Sequence, residues 1–255
     1  MADNRVVTIS PQGFKSIANP ENGKGYHWTC DINTELPVKC EKVGPGSAQP
    51  LTMCQLFEEA VRDGGDRESL FVERGGKYLS WTWNQYNYQV RQFAKSLAQL
   101  NMTTRSAVAI MGFNSPEWAI ACMGAMMYEA VVTGIYITNE PDACLYQATH
   151  CEAEVVVCES LEHLKRFTVN LDKLPRVKAF VVWGEDKLPQ EFQGPQYFLW
   201  RDFLKLGANV KDQVIQQRVD RQVPGQCCCL IYTSGTTGNP KGCMLSHDNL
   251  VWTCA

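Results

Sequence analysis

The chain has no run of about five like charges, and its 24 Lys and Arg stand against 27 Asp and Glu, for a formal charge of −3. A duplex-binding protein presents a basic face to neutralise phosphates, and none is visible, so nucleic acid is not expected as a partner. The start, Met1–Ser10, has no basic region followed by an apolar core segment, which argues against a secretory signal and for an origin in the cytosol. The most apolar long segment, Trp118–Tyr128, stops at Glu129, well short of the roughly 20 apolar residues that cross a bilayer. No transmembrane segment is expected, and any membrane contact, on the endoplasmic reticulum or elsewhere, would be peripheral. No internal repeat or long low-complexity tract occurs.

Metal spacings are missing as well. Twelve cysteines occur without one Cys-x-x-Cys pair, and His27, His150, His163 and His247 include no His-x-x-x-His pair. Cys227, Cys228 and Cys229 are consecutive, so on a strand they point to opposite faces and do not make a zinc site. In a long chain without a signal, free thiols are expected. The histidines read as surface or hydrogen-bonded polar residues, and the seven tryptophans as core.

What remains is globular. Of 255 residues, 45% are hydrophobic and 20% charged, enough apolar material for a substantial core. Residues 1–50 are rich in Gly, Pro, Asn and Lys and read as an extension with little regular structure; the compact fold begins near Leu51. Leu51–Val61 has helical spacing and ends at Gly64–Gly65. Leu70–Glu73 and Tyr78–Trp81 flank Gly75–Gly76 as a β-hairpin. Thr82 and Gln85 form a capping box ahead of the stripe Tyr86, Val90, Phe93, Leu97 and Leu100.

From residue 107 short apolar runs alternate with helical segments. Ala107–Met111, Val131–Ile137, Val155–Cys158 and Ala179–Trp183 read as strands. Ser115–Pro116–Glu117 starts a helix, others are expected near 141–150 and 160–168, and Arg201–Leu206 reads as a short amphipathic one. Strands apolar on both faces predict an α/β fold, a mostly parallel βαβ sheet covered by helices. Lys211–Gln226 reads as a polar connection before a strand at Cys227–Tyr232.

Directly after that strand come Thr233, Ser234, Gly235, Thr236, Thr237, Gly238, Asn239, Pro240, Lys241 and Gly242. Gly235, Gly238 and Gly242 let the backbone turn and approach a ligand closely, so that successive amides form an anion-binding concavity. The hydroxyls of Thr233, Ser234, Thr236 and Thr237 add donors for phosphate oxygens, Lys241 adds one full charge, and Pro240 limits collapse of the loop. A Walker-type phosphate loop needs Gly-Lys-Ser/Thr, whereas Lys241 follows Pro240 and precedes Gly242.

Tyr232–Gly242 resembles the signature phosphate loop of the adenylate-forming superfamily, which includes acyl-CoA synthetases, luciferases and peptide-synthetase adenylation domains. Gly112–Trp118, Val132–Tyr136 and Met244–Asn249 narrow the resemblance to long-chain acyl-CoA synthetases of the bubblegum type, over about residues 25 to 255. The resemblance implies a large AMP-binding domain whose amino-terminal portion is residues 51–255, with long-chain fatty acid, ATP, Mg and CoA as substrates and cofactors. Thr233 to Lys241 would wrap the β- and γ-phosphates, and the Thr233 hydroxyl would help hold Mg. Relatives continue for some hundreds of residues, and the later catalytic motifs and small C-terminal domain are absent here, so the chain alone is expected to be inactive. Two alternatives stay open: a non-catalytic shortened product, and adenylation with another acyl acceptor.

Overall fold

The computed structural model describes residues 7–10, 13–18, 26–36, 38, 43–44, 47–233 and 239–254. Strands β1 (Val7–Ser10), β2 (Gly13–Ala18) and β3 (Tyr26–Thr29) pair antiparallel in a small sheet of their own, inside the segment expected to carry little regular structure. Each strand is only 4 to 6 residues long, too short for a periodic signal.

Helix α1 (Met53–Gly64) is capped by Thr52, which exchanges hydrogen bonds with Gln55, and buries Cys54 and Phe57. The hairpin of β4 (Glu68–Arg74) and β5 (Lys77–Thr82) turns on Gly75 (φ 57°) and Gly76 (φ 74°), the left-handed pair that a two-residue turn requires. Thr82 then caps α2 (Trp83–Gln99), whose Tyr86, Val90, Phe93 and Leu97 are buried as the stripe predicts.

The main sheet is built from β6 (Ala107–Met111), α3 (Pro116–Tyr128), β7 (Val131–Ile135), α4 (Pro141–His150), β8 (Ala153–Cys158), α5 (Leu161–Thr168), β9 (Ala179–Val182), β10 (Tyr197–Leu199), α6 (Trp200–Leu206), α7 (Asp212–Asp220), β11 (Cys227–Thr233), β12 (Lys241–Ser246) and α8 (His247–Cys254). The strand order is β10-β9-β8-β6-β7-β11-β12, parallel throughout except for β12, which returns antiparallel to β11. Period-2 alternation splits β6: Val108 and Ile110 join Phe93, Ile120 and Met127 of α2 and α3 on one face, while Ala107, Ala109 and Met111 join Leu145, Leu164 and Phe167 of α4 and α5 on the other. Helices on both faces explain why β6 and β8 are buried at every position.

One reading is corrected. The polar connection Lys211–Gln226 contains α7, because Ile215 and Val219 lie one turn apart and are both buried, enough to dock an otherwise polar helix. Beyond the turn after β11, Lys241–Ser246 adds a strand that the sequence reading did not include, and α8 begins at His247. No helix among the described residues is long and apolar enough to cross a membrane.

Candidate functional site

Strand β11 pairs in parallel with β7 (Cys229 with Val132, Leu230 with Thr133) and so delivers its last residue to the carboxyl edge of the parallel strands, where open α/β sheets bind ligands. Alternation buries Leu230 and Tyr232 and leaves Ile231 and Thr233 exposed. The hairpin with β12 closes on the pairs Tyr232–Gly242 and Thr233–Lys241. Residues directly opposite across two strands project to the same face, so the hydroxyl of Thr233 and the ammonium of Lys241 stand side by side at the mouth of the turn, both exposed. Lys241 makes no ion pair with another described residue. Asn239 is exposed and Pro240 half-buried beside them. Of the other residues expected here, Ser234, Gly235, Thr236, Thr237 and Gly238 lie outside the described residues.

Gly242 differs from its reading as a turning glycine. It lies within β12, and a Cβ there would sit 3.4 Å from Cζ and 3.6 Å from Oη of Tyr232. A Cβ would thus touch the Tyr232 ring at ordinary contact distance, and only a larger side chain would crowd it.

Behind the hairpin the Tyr232 hydroxyl meets α4. His150 Nδ1 lies 2.7 Å from Tyr232 Oη, and Tyr232 Oη is 3.4 Å from the Gln147 carbonyl. Tyr146 Oη donates to the Pro240 carbonyl at 3.0 Å, and the Tyr146 and His150 rings stack with centroids 5.4 Å apart. Burial pushes the Tyr232 hydroxyl above its ordinary range, so it keeps its proton as a donor. This backing had a faint sequence signal, Tyr146 and His150 one helical turn apart, but nothing in the sequence told which element their face would meet.

Among the described residues no group of three His, Cys, Asp or Glu could hold an ion, and every described cysteine is a free thiol. Burial pushes the thiol of Cys227 up to about 12 and that of Cys229 up to about 11, so neither offers a thiolate at neutral pH. His247 is likewise structural: buried, it accepts the Met53 amide at Nδ1 (3.2 Å).

A parallel sheet covered by helices, with an exposed lysine and an exposed threonine paired at its carboxyl edge, defines an α/β protein of the open-sheet class. Comparison with known proteins gives the family. Residues 57–255 match the AMP-binding enzyme family, and the chain belongs to it. It is 40% identical over 253 residues to the long-chain-fatty-acid–CoA ligase ACSBG2 of Gallus gallus, covering 99% of this chain and 33% of that protein. It is 38% identical over 263 residues to ACSBG1 of Rattus norvegicus, covering 99% and 36%. The chain therefore spans about a third of the length of these curated relatives. Among solved structures, the anthranilate CoA ligase AuaEII, in complex with anthranoyl-AMP, aligns over 81% of this chain and 37% of its own at a TM-score of 0.67 and 22% identity. A fatty acyl-adenylate ligase from L. pneumophila, in complex with acyl adenylate and pyrophosphate, aligns over 78% and 31% at 0.57 and 16%. At these identities the likeness is one of fold.

Proposed function

We propose that the protein to which this chain belongs is an AMP-forming long-chain fatty acid–CoA ligase and that Thr233 to Lys241 is its triphosphate-binding turn. The reading is carried by the Thr233–Lys241 pair, a cation without an ion pair among the described residues, beside a hydroxyl on the exposed face of a hairpin at the sheet's carboxyl edge. A carboxylate oxygen of the fatty acid attacks the α-phosphorus of ATP, pyrophosphate leaves, and the CoA thiol then displaces AMP from the acyl carbonyl. Neither step needs a nucleophile from the protein. This chain's part is to orient the leaving pyrophosphate and offset its growing charge: Lys241 as a point charge, Thr233 as a donor, and the amides of the turn as further donors.

The exposed Thr233 oxygen suits one ligand position of a Mg that takes its remaining oxygens from phosphate and water. Bound there, Mg would neutralise phosphate charge. The acyl substrate partitions into bilayers, so we place the enzyme in the cytosol with peripheral contact to a membrane such as the endoplasmic reticulum.

The test joins residues 1–255 to the remaining two thirds of the Gallus gallus relative and assays palmitate, MgATP and CoA for palmitoyl-CoA and AMP. Turnover is expected, with Lys241→Ala lowering kcat/KM by roughly 10- to 1000-fold at an unchanged melting temperature. A Lys241→Ala enzyme as active as its parent, or a folded chimera that activates only other acids, would refute the assignment.

A further inference from the structure

Helix α4 holds the turn at both ends. Tyr146 Oη donates to the carbonyl of Pro240, the residue before Lys241. Proline has no N–H, so this carbonyl is its one backbone handle. His150 Nδ1 meets the hydroxyl of Tyr232, the residue before Thr233, at 2.7 Å. When Nδ1 carries the imidazole proton it donates to Tyr232 Oη, whose own proton is then free for the Gln147 carbonyl 3.4 Å away. Tyr146 and His150 are neighbours on one helical face, stacked on each other, so both ends of the turn are referred to a single rigid element. Among the described residues β12 pairs with β11 alone, so its sheet pairing fixes the turn end of the hairpin from one side only.

We propose that Tyr146 and His150 are positioning residues of the phosphate turn, which set the spacing of Thr233 and Lys241 before a polyphosphate arrives. They act through the Pro240 carbonyl and the Tyr232 hydroxyl, from the face opposite to the one Thr233 and Lys241 present, and fixing these two residues in advance lowers the entropy lost on binding. The proposal rests on the phosphate reading given above.

Trypsin reads the geometry directly, because Lys241–Gly242 is a cleavable bond inside the clamped segment. In the 255-residue chain, followed by mass spectrometry, Tyr146→Phe is expected to speed cleavage after Lys241 about three- to tenfold, the worth of one hydrogen bond. Cleavage after exposed Lys187 should stay unchanged and serves as the control for global unfolding. Magnesium tripolyphosphate is expected to slow cleavage after Lys241 in the parent, and the variant should need several-fold more of it for the same protection. His150→Phe, which keeps a ring against Tyr146 but loses Nδ1, tests the other end independently if Tyr146→Phe lowers the melting temperature. Equal cleavage of parent and both variants would overturn the clamp. Faster cleavage with undiminished tripolyphosphate protection would overturn its positioning role. Faster cleavage in a chain whose parent shows no protection would instead overturn the phosphate reading itself.

Discussion

Arg74 at the end of β4 grips Glu117 in the first turn of α3 with both arms of its guanidinium, Nη1 to Oε1 at 2.9 Å and Nη2 to Oε2 at 2.6 Å. The carboxylate is buried while the arginine stays half-exposed, so the pair fastens the β4–β5 hairpin to the central layer. Arg74→Ala would leave a buried charge with only the α3 dipole to favour it. A loss of about 2 kcal/mol is expected in urea unfolding, on the scale of a charged hydrogen bond. Arg74→Lys, unable to bridge both oxygens, should recover only part. An Arg74→Ala chain within about 0.5 kcal/mol of the parent would show that the hairpin is held by its apolar contacts alone.

Acid should unfold the chain in two windows. Burial, with Arg105 adding to it, holds the His247 imidazole at about 4, below its ordinary 6.5. Between those values the unfolded chain takes up a proton that the folded one refuses, so stability falls as pH drops from 6.5 to 4, by up to about 3 kcal/mol. Protonation would also replace the lone pair that accepts the Met53 amide. Burial works to raise Glu154, but hydrogen bonds from Lys178, Thr103 and Ser106 outweigh it and hold the carboxyl at about 2. Its share is present above the ordinary 4.5 and is lost as pH falls from there towards 2. Chemical denaturation at a series of pH values should show both falls, with His247→Gln flattening the upper and Glu154→Gln the lower. An upper fall of the same size in His247→Gln would reject the assignment.

Sequence and structure agree where a local rule acts alone. The Thr82–Gln85 box, the Gly75–Gly76 turn and the Ser115 cap are each decided by residues within four positions, and each was readable. The parallel sheet was readable because strands buried on both faces leave little polar alternation. What stayed hidden depends on distant partners. Lys241–Ser246 alternates weakly and becomes a strand only because β11 lies beside it, and α7 has three apolar residues, of which only Ile215 and Val219 are buried. The Tyr146–Pro240 bond joins residues 94 positions apart and has no local signature.

Gly207 looks from sequence like an ordinary helix terminator after α6. Its φ of −86° suits any residue, yet a Cβ there would lie 2.3 Å from the Lys95 carbonyl carbon and 2.5 Å from the Ser96 amide nitrogen, both backbone atoms of α2. Its own amide donates to Ser96 Oγ at 3.2 Å, and that hydroxyl donates to the Phe203 carbonyl at 2.5 Å. Gly207→Ala must therefore push α6 off α2, at a cost of about 2 kcal/mol or more in thermal or urea unfolding. If glycine mattered only for flexibility, alanine would stabilise the fold instead.

Gly242 offers the sharpest contrast with a flexibility account. It is paired with Tyr232 in extended strand, where glycine is a poor choice on propensity and valine a good one. An alanine Cβ would touch the Tyr232 ring at ordinary contact distance, 3.4 to 3.7 Å, so Gly242→Ala should stay within about 0.5 kcal/mol of the parent. Valine adds two methyls on the same side and must displace the ring, which draws the Tyr232 hydroxyl off His150. Gly242→Val is expected to lose about 1 kcal/mol or more of stability and to speed tryptic cleavage after Lys241 as Tyr146→Phe does. A valine variant more stable than the parent, with Lys241 no easier to cleave, would mean that the space beside Tyr232 is not what this glycine preserves.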